Sequence, residues 1–265
     1  MKLRLYDSAF DGVFSASLGG ENKYEKPTSI EWLRDGPPTN PSVFTDAHIK
    51  DAPDIPGRKI AWILEPYELR QDPYVEAMRL EKHFDYVLTH DRYFANRPGW
   101  ELYRYGGSWI NPSEWGMHSK TKEVSIIASQ KNTTEGHNLR RRIADNFPLD
   151  VFGRGYREIT SKVMALRHYR FSVVVESSRM NDYFSEKLID CLSMGTVPVY
   201  WGCEAVDDIF DPDGIMRFDS IKELEDILPT LSAFRYEART AAIKRNIQIA
   251  RQYRICEDNL LEAVS

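Results

Sequence analysis

The segment from Phe171 to Gly202 reads FSVVVESSRMNDYFSEKLIDCLSMGTVPVYWG, and it sets the fold class. It begins with the β-branched run Phe171–Val175 and closes with a second strand-like run, Thr196–Tyr200. Between them, apolar residues at helical spacing predict a helix over 185–194, which stops at Gly195, a residue favoured directly after a helix. The segment therefore predicts a β-loop-α-β unit with two parallel strands.

Lys187 lies in the first turn of this predicted helix. The helix dipole already supplies about half a positive charge there, so stability alone favours Asp or Glu at that end. A cation at a helix N-terminus suits a bound phosphate, and open α/β sheets bind ligands at the carboxyl edge of their strands. Lys187 thus indicates an anionic ligand; a solvated surface lysine is the alternative for this residue taken alone.

Composition and charge narrow the classes of protein. The 265 residues, 42% of them hydrophobic, can bury one sizeable core or two modest ones. A net charge of −5 argues against a broad nucleic-acid or lipid surface. The 3 cysteines are widely spaced and lack metal-ligand spacing. No window approaches the ~20 apolar residues of a membrane span. We therefore expect a cytoplasmic protein with no nucleic-acid partner and no membrane span.

Strand-like runs alternate with helical patterns in both halves, which is typical of parallel α/β architecture. We expect two Rossmann-like domains facing a cleft, 1–115 and 116–265, joined near the linker Gly106–Ser113. A helical pattern from about Arg235 onward predicts one long C-terminal helix lying across both domains. The predicted strands are 2–6, 42–45, 59–64, 85–89, 101–105, 123–128, 149–153, 171–175, 196–200 and 215–218, and the other predicted helices are 73–83, 138–147, 158–168, 186–194 and 221–228.

Glu65 is a candidate general base. It ends the apolar run Ile60–Leu64 and precedes Pro66, so it should face the cleft at the carboxyl end of a strand. Partial burial strengthens the hold of a carboxylate on a proton, which suits proton abstraction. The alternatives are a turn-capping role for Glu65, or Glu68 as the base.

Three consecutive arginines, Arg140, Arg141 and Arg142, open a helix after a polar loop. A guanidinium near a helix N-terminus matches phosphate oxygens, and at least one of the three should be an ordinary surface residue. The chain has neither a GxxxxGK[ST] loop nor a GxGxxG motif, so a P-loop phosphotransferase and a dinucleotide fingerprint are not indicated.

The acidic pairs predict no metal site. Asp207-Asp208 and Asp211/Asp213 do not directly follow an apolar strand and read as solvated loops or turns, and Asp182 near Glu186 forms no Asp-x-Asp. Several aromatic residues near the proposed cleft suit either stacking on a ligand or packing; they are Tyr103, Tyr105, Trp109 and Tyr169.

Several blocks of the second half resemble the donor-binding signature of the α1,3/4-fucosyltransferases, glycosyltransferase family 10. The blocks are Tyr169–Ser178, Tyr183–Lys187 and Gly195–Gly202, in the family's order and spacing. Val151–Arg154 is similar to the family's DVFGR block, and Glu65-Pro66 to its first-domain ESP element. The sequence shows neither the membrane anchor nor the stem of the animal Golgi enzymes, so we expect it to resemble the soluble bacterial or viral type.

The resemblance implies a GT-B fold and an inverting, metal-independent transfer of a sugar, first of all L-fucose, from a GDP-sugar to an acceptor hydroxyl. No cofactor is implied beyond the GDP-sugar co-substrate. Glu65 would be the general base, and Lys187 with one arginine, first Arg140, would neutralise the departing diphosphate.

The resemblance also implies a donor site lined by Glu176 and Ser177, with Tyr183 beside the phosphates and Glu186 on the ribose or sugar. Ser177 stands where the family usually has Asn, and Ser185 where it has Thr, which leaves the donor sugar open. The acceptor, a glycan or another hydroxyl compound, is also open. The alternatives are a non-catalytic protein that binds a GDP-sugar or glycan, and a glycosyltransferase acting on a protein or a nucleic-acid base.

Overall fold

A computed structural model describes residues 1–8, 14–15 and 17–264. The chain divides into two compact units. Unit 1 comprises Met1–Gly107 and Ile255–Ser265, and unit 2 comprises Ser108–Arg254. Within the described ranges, no helix combines the length and the hydrophobicity that crossing a bilayer requires.

Unit 1 is built on a six-stranded parallel sheet with the strand order β2-β1-β3-β4-β5-β6. Its strands are β1 (Lys2–Tyr6), β2 (Glu31–Leu33), β3 (Ser42–Thr45), β4 (Lys59–Trp62), β5 (Tyr86–Thr89) and β6 (Trp100–Leu102). A 3-10 helix over Asp46–Asp54 follows β3, and the α-helices are α1 (Asp72–Arg79) and α2 (Arg92–Ala95). Because all strand pairs are parallel, the residues that follow β1, β3, β4 and β5 lie along one edge of the sheet.

Unit 2 has a five-stranded parallel sheet in the order β11-β10-β9-β7-β8. Its strands are β7 (Lys122–Ile127), β8 (Asp150–Phe152), β9 (Tyr169–Val175), β10 (Val197–Trp201) and β11 (Met216–Arg217). Its helices are α3 (Glu135–Asn146), α4 (Val163–Leu166), α5 (Glu186–Ser193), α6 (Val206–Ile209), α7 (Ile221–Ile227), α8 (Ala233–Glu237) and α9 (Thr240–Gln252).

The predicted β-loop-α-β unit is confirmed as β9, α5 and β10. Alternate β9 side chains enter hydrophobic clusters on opposite sheet faces, Val174 on the α5 side and Val173 on the other, so the last three residues of the strand are all apolar. Gly195 has φ +61° just beyond α5, the left-handed conformation that glycine adopts most easily. Pro198 is tolerated because β11 pairs only with the next two residues of β10.

The structure differs from the predicted elements at short or irregular segments. Strand β2 was not predicted, because three residues are too few to show an alternating pattern. The helix expected over 158–168 is reduced to α4. The other predicted strands all occur, with ends that differ by up to three residues.

The long C-terminal helix predicted from Arg235 onward is wrong, because that segment is broken into several helices. Tyr253 N donates to the Ala250 carbonyl, a tight bond that closes the last turn of α9. The chain then forms a 3-10 helix over Cys256–Asn259 and α10 (Leu260–Ala263). Ile243 is buried in the core of unit 2, whereas Leu260 is buried in the core of unit 1. The apolar residues of this helical pattern are therefore buried in two separate cores.

The predicted boundary between 1–115 and 116–265 differs from the structural division. Ile110 is fully buried in a unit 2 core cluster, and Trp109 N donates to Asp190 Oδ1 at 2.9 Å. Both contacts attach the second half of the expected linker to unit 2. Gly107 ends unit 1 with φ +90°, and a Cβ there would lie 2.4 Å from the Ser17 carbonyl oxygen.

Candidate active site

Glu176 directly follows β9, and its fully buried carboxylate is bound by the residue that caps α5. Ser185 donates two hydrogen bonds to it, from N to Oε1 at 3.0 Å and from Oγ to Oε2 at 2.6 Å. Ser185 Oγ also accepts a hydrogen bond from Lys187 N at 3.4 Å. Glu176 thereby fixes the start of α5 and the position of Lys187.

Two glycines allow other backbone segments to approach Glu176. A Cβ at Gly136, in the first turn of α3, would lie 1.9 Å from the Glu176 carbonyl oxygen. A Cβ at Gly202, just after β10, would lie 2.6 Å from Glu176 Cγ. The start of α3 and the ends of β9 and β10 therefore meet around one carboxylate.

Lys187 lies in the first turn of α5, and its ammonium group faces oxygen atoms. Its Nζ donates to Ser185 Oγ at 2.9 Å and lies 3.6 Å from Glu176 Oε2 and 3.5 Å from Glu186 Oε1. The side chain is 27% exposed, so it remains reachable by a ligand.

Glu186 is ionised in this site although it is mostly buried. Burial alone would raise its pKa, but the Lys187 and Lys162 ammonium groups and hydrogen bonds from Ser185 and Lys162 lower the pKa of Glu186 to about 2. The carboxylate therefore stays charged at neutral pH and can hold the two lysines in place.

Among the three arginines, only Arg140 is buried; Arg141 is half-buried and Arg142 is exposed. Arg140 Nε donates to the Val175 carbonyl oxygen at 3.0 Å, at the end of β9. Its Nη2 is buried and has no hydrogen-bond partner among the described residues. Burial lowers the pKa of Arg140, and the charges of Glu176 and Glu186 oppose that change. Arg140 thus carries a donor that a bound oxygen anion could satisfy.

Ser177 and Tyr183 are both buried beside this cluster. Ser177 Oγ and Tyr183 Oη lie 3.0 Å apart in a hydrogen bond. Each is close in sequence to a charged member of the site, Glu176 and Glu186 respectively. The hydroxyl pair therefore links the residue after Glu176 to the segment that leads into α5.

Lys162 and Asp190 belong to the site, although sequence analysis does not identify them. Lys162 Nζ lies 2.6 Å from Asp190 Oδ2, 3.4 Å from Glu186 Oε1 and 4.3 Å from the centre of the Trp109 ring. Asp190 Oδ1 accepts hydrogen bonds from Ser108 Oγ and Trp109 N. Lys162 lies just before the short α4, where no pattern marks a site, and only the folded chain brings it to α5.

Three cations and three carboxylates thus lie around the start of α5. Lys187, Lys162 and Arg140 carry the positive charges, and the negative charges are on Glu176, Glu186 and Asp190. The carboxylates preorganise the cations, which saves the cost of ordering long side chains when a ligand binds. An oxyanion that meets Arg140 and Lys187 would receive charge-assisted hydrogen bonds.

Glu65 lies in unit 1, beyond the end of β4, and is half-buried. Ile63 N donates to the Leu88 carbonyl at 2.9 Å, so pairing with β5 continues one residue past β4. The Glu65 carbonyl accepts a hydrogen bond from Tyr74 Oη of α1 at 3.2 Å. Glu68 is exposed in the turn that follows. Glu65 therefore lies at the carboxyl edge of its sheet, where the sequence predicts it.

The other singled-out residues make structural contacts. Asp207 pairs with Arg217 at 2.9 Å, and Asp211 accepts a hydrogen bond from Asp213 N, consistent with a surface turn. Tyr103 packs edge-on against Trp62, with its hydroxyl bonded to the Cys256 carbonyl, and the Tyr169 hydroxyl donates to Asp150. Tyr105 is tilted against Trp62 at 6.3 Å, and Trp109 lies beneath Lys162.

Residues 117–240, which lie within unit 2, match the profile of Glycosyltransferase family 10 (fucosyltransferase) C-term. This range includes the three cations and three carboxylates around the start of α5. Ser108 and Trp109, which contact Asp190 and Lys162, lie outside it. The family match thus falls on the unit that carries the clustered charges.

Curated relatives share parts of this chain. The "Alpha-(1,4)-fucosyltransferase" of Arabidopsis thaliana is 35% identical over 63 residues, which is 23% of this chain and 16% of that protein. The "Alpha-(1,3)-fucosyltransferase B" of Drosophila melanogaster is 22% identical over 165 residues, which is 52% of this chain and 37% of that protein. The chain therefore spans well under half the length of these relatives.

Solved structures share the fold over nearly the whole chain. A crystal structure of an α1,3-fucosyltransferase with GDP superposes with a TM-score of 0.53 at 14% identity, covering 97% of this chain and 93% of that one. A second α1,3-fucosyltransferase structure gives 0.52 at 14% identity, covering 94% and 80%. The chain has the GT-B fold of these structures, and residues 117–240 of its second unit are similar to the C-terminal domain of the family 10 glycosyltransferases.

Proposed function

We propose that this protein is an inverting glycosyltransferase that moves a sugar from a GDP-sugar to an acceptor hydroxyl, with L-fucose as the first sugar to test. The observation that carries the proposal is the arrangement of Arg140 and Lys187 beside buried carboxylates, within the family match. The names of the relatives, and a GDP complex of a protein with the same fold, support a GDP-linked donor.

The proposed role of the cations follows from the charge that develops during transfer. When the bond between the sugar anomeric carbon and the diphosphate oxygen breaks, the bonding electrons stay with GDP and add negative charge to its phosphate. Fixed cations bind that charge more strongly in the transition state than in the ground state, which lowers the barrier. Arg140 and Lys187 would contact the phosphate oxygens, while Glu176 and Glu186 hold Lys187 in position.

Glu65 would act on the acceptor. Its carboxylate takes the proton of the attacking hydroxyl as the oxygen forms a new bond to the anomeric carbon. Attack from the face opposite the departing diphosphate inverts the configuration at that carbon. The proton ends on Glu65, and GDP leaves with its electron pair.

We also propose that transfer needs no divalent metal. In metal-dependent transfer, the ion neutralises the leaving group's charge. Here two protein cations, Arg140 and Lys187, would neutralise that charge, and Lys162 stabilises the adjacent Glu186.

The sugar and the acceptor are the finer parts of the proposal. Ser177 stands where the family usually has Asn, and its side chain is shorter. Its Oγ is already hydrogen-bonded to Tyr183 Oη. GDP-fucose and other GDP-sugars should therefore be compared directly. A glycan hydroxyl is the proposed acceptor. Cys191, Cys203 and Cys256 are all buried. A cytoplasmic location is part of the proposal.

A nucleotide screen followed by a transfer assay tests this function. Thermal shifts with GDP, UDP and CMP should show stabilisation by GDP above the others. Transfer from GDP-fucose to a glycan panel should then occur with wild type. Glu65→Gln should keep GDP binding and lose transfer. Binding without transfer by wild type, for every GDP-sugar and acceptor, would favour a non-catalytic binding protein instead.

A further inference from the structure

Asp46 is a buried carboxyl group with an unusual backbone at the carboxyl edge of the unit 1 sheet. It directly follows β3 and opens the 3-10 helix Asp46–Asp54. The residue is 3% exposed. Its φ of +31° is the single positive value for a non-glycine residue in the described part of the chain. L-residues avoid this region, so surrounding contacts must hold Asp46 in place.

One carboxyl oxygen of Asp46 binds the segment that carries the candidate base. Oδ1 accepts a hydrogen bond from Leu64 N at 2.9 Å. Leu64 is the residue before Glu65, so this bond fixes the backbone from which the Glu65 side chain extends. Oδ2 is buried and has no hydrogen-bond partner among the residues that the structure describes. A fully ionised carboxylate would be costly there.

Four ionisable groups face Asp46 from the elements packed around it. Glu65 and Arg70 follow β4, Asp7 follows β1, and Tyr74 lies on α1. Arg70 is already paired with Asp72 at 2.8 Å, and Asp7 with Arg34 at 2.9 Å. The Arg70 charge is therefore shared with Asp72, and the negative charge of Glu65 raises the pKa of Asp46.

These surroundings give Asp46 a strong hold on a proton. Burial and, to a smaller extent, the charges of Glu65 and Asp7 raise the pKa of Asp46, whereas the Leu64 amide and Arg70 lower it; the net pKa is about 7. Two interacting carboxyl groups titrate as a pair, because a charge on one makes the other hold its proton more tightly.

We propose that Asp46 is a positioning residue for Glu65. Asp46 fixes the backbone of the base through the Leu64 amide, and its negative charge strengthens proton uptake by Glu65. The inference rests on the proposed function in assigning proton abstraction to Glu65. When Asp46 is ionised, its charge favours transfer of the acceptor hydroxyl proton to Glu65. When Asp46 is protonated, that assistance is lost. Transfer should therefore rise as the pH increases through the range in which Asp46 loses its proton.

The coupling can be measured without any activity. Protein labelled with ¹³C at aspartate carboxyl groups gives the Asp46 signal, identified by its loss in Asp46→Asn. We expect a titration midpoint near pH 7 in wild type, as burial and charge imply. In Glu65→Gln the midpoint should fall by about one pH unit, because a like charge has been removed. Glu68→Gln, which alters an exposed carboxylate three residues away, should leave it unchanged.

Kinetic measurements then distinguish a positioning role of Asp46 from a purely structural one. Asn can keep the bond from Leu64 N through its Oδ1 and tolerates a positive φ, so Asp46→Asn should fold. We expect its kcat at pH 8 to fall about tenfold, part of what a general base supplies, with acceptor KM unchanged and no rise near pH 7. Asp46→Ala should in addition expose the Leu64 amide to hydrogen exchange.

Two outcomes would overturn the inference: an Asp46 midpoint unaffected by Glu65→Gln, or an Asp46→Asn enzyme that retains the wild-type pH profile. If wild type transferred no sugar at all, the proposed function would fail, and the carboxyl titration would still decide whether the two groups are coupled.

Discussion

Ser185 Oγ lies 2.6 Å from Glu176 Oε2, so the residue that caps α5 is bonded to the carboxylate that follows β9. A helix cap normally satisfies only its own helix. Here it also compensates a buried charge, which couples the stability of unit 2 to the placement of Lys187. The same contact lets mutations distinguish scaffold from ligand binding.

Ser185→Ala should lower the free energy of unfolding by about 2–4 kcal/mol. It removes the cap, worth about 1 kcal/mol, and leaves a buried carboxylate short of a donor, which costs about 1–3 kcal/mol. Urea unfolding measures the change. Ser220→Ala is the matched control, because Ser220 caps α7 at an exposed site, and it should cost about 1 kcal/mol. Equal losses in the two variants would show that the bond to Glu176 adds nothing.

Arg140→Ala should weaken GDP binding by about 100-fold, because a buried charge-assisted contact to phosphate is lost. Isothermal titration calorimetry measures the affinity. Arg142→Ala alters an exposed arginine of the same helix and should change the affinity less than about twofold. Circular dichroism checks that both variants fold. A similar loss in both would indicate general electrostatic attraction instead of a specific contact.

Lys187→Ala should also weaken GDP binding severely, about 30-fold or more, since the lysine would be a direct phosphate partner. The matched control is Lys222→Ala, because Lys222 is likewise the second residue of a helix, α7, but pairs with Asp226 at the surface. Titration with GDP should give wild-type affinity for the control. An unchanged affinity in Lys187→Ala would refute the role assigned to this residue.

Chelation of divalent metals should leave transfer intact if protein cations neutralise the leaving diphosphate. Initial rates with GDP-fucose, measured with and without EDTA, should agree within error. Added Mn²⁺ or Mg²⁺ should raise the rate less than about twofold, since the leaving-group charge is already compensated. Strict dependence on added manganese would contradict the proposal.

Asp46→Asn should stabilise the protein at high pH. The pKa of Asp46 rises from 3.8 to about 7 on folding, so the folded state binds this proton more tightly. Its stabilising contribution is complete below pH 3.8 and is lost as the pH rises toward 7. Asparagine does not titrate, so its advantage over wild type should grow between pH 4 and pH 8, up to about 4 kcal/mol.

Urea unfolding at several pH values follows this difference. Asp54→Asn serves as the control, because Asp54 is exposed at the end of the same 3-10 helix. Its curve should remain parallel to that of wild type. A constant difference between Asp46→Asn and wild type across the pH range would exclude a proton bound more tightly on folding.

Local sequence determined the class of fold and the position of Lys187. The run Phe171–Val175, the helical spacing before Gly195 and the run Thr196–Tyr200 fall within about thirty residues of one another, and short-range propensity acts at that distance. The blocks that resemble the fucosyltransferase signature are equally local. Glu65 at the end of its strand follows from the same kind of pattern.

Only the tertiary structure decided which charges become a site. Arg140, not its two neighbours, is buried because Gly136 lets α3 approach the backbone of Glu176. Lys162 and Asp190 are distant in sequence and form an ion pair only in the folded chain. The burial of Asp46 depends on the parallel pairing of β3 with β4. The C-terminal apolar residues divide between two cores for the same reason. Burial and charge pairing arise from contacts between residues distant in sequence, and local patterns carry no information about those contacts.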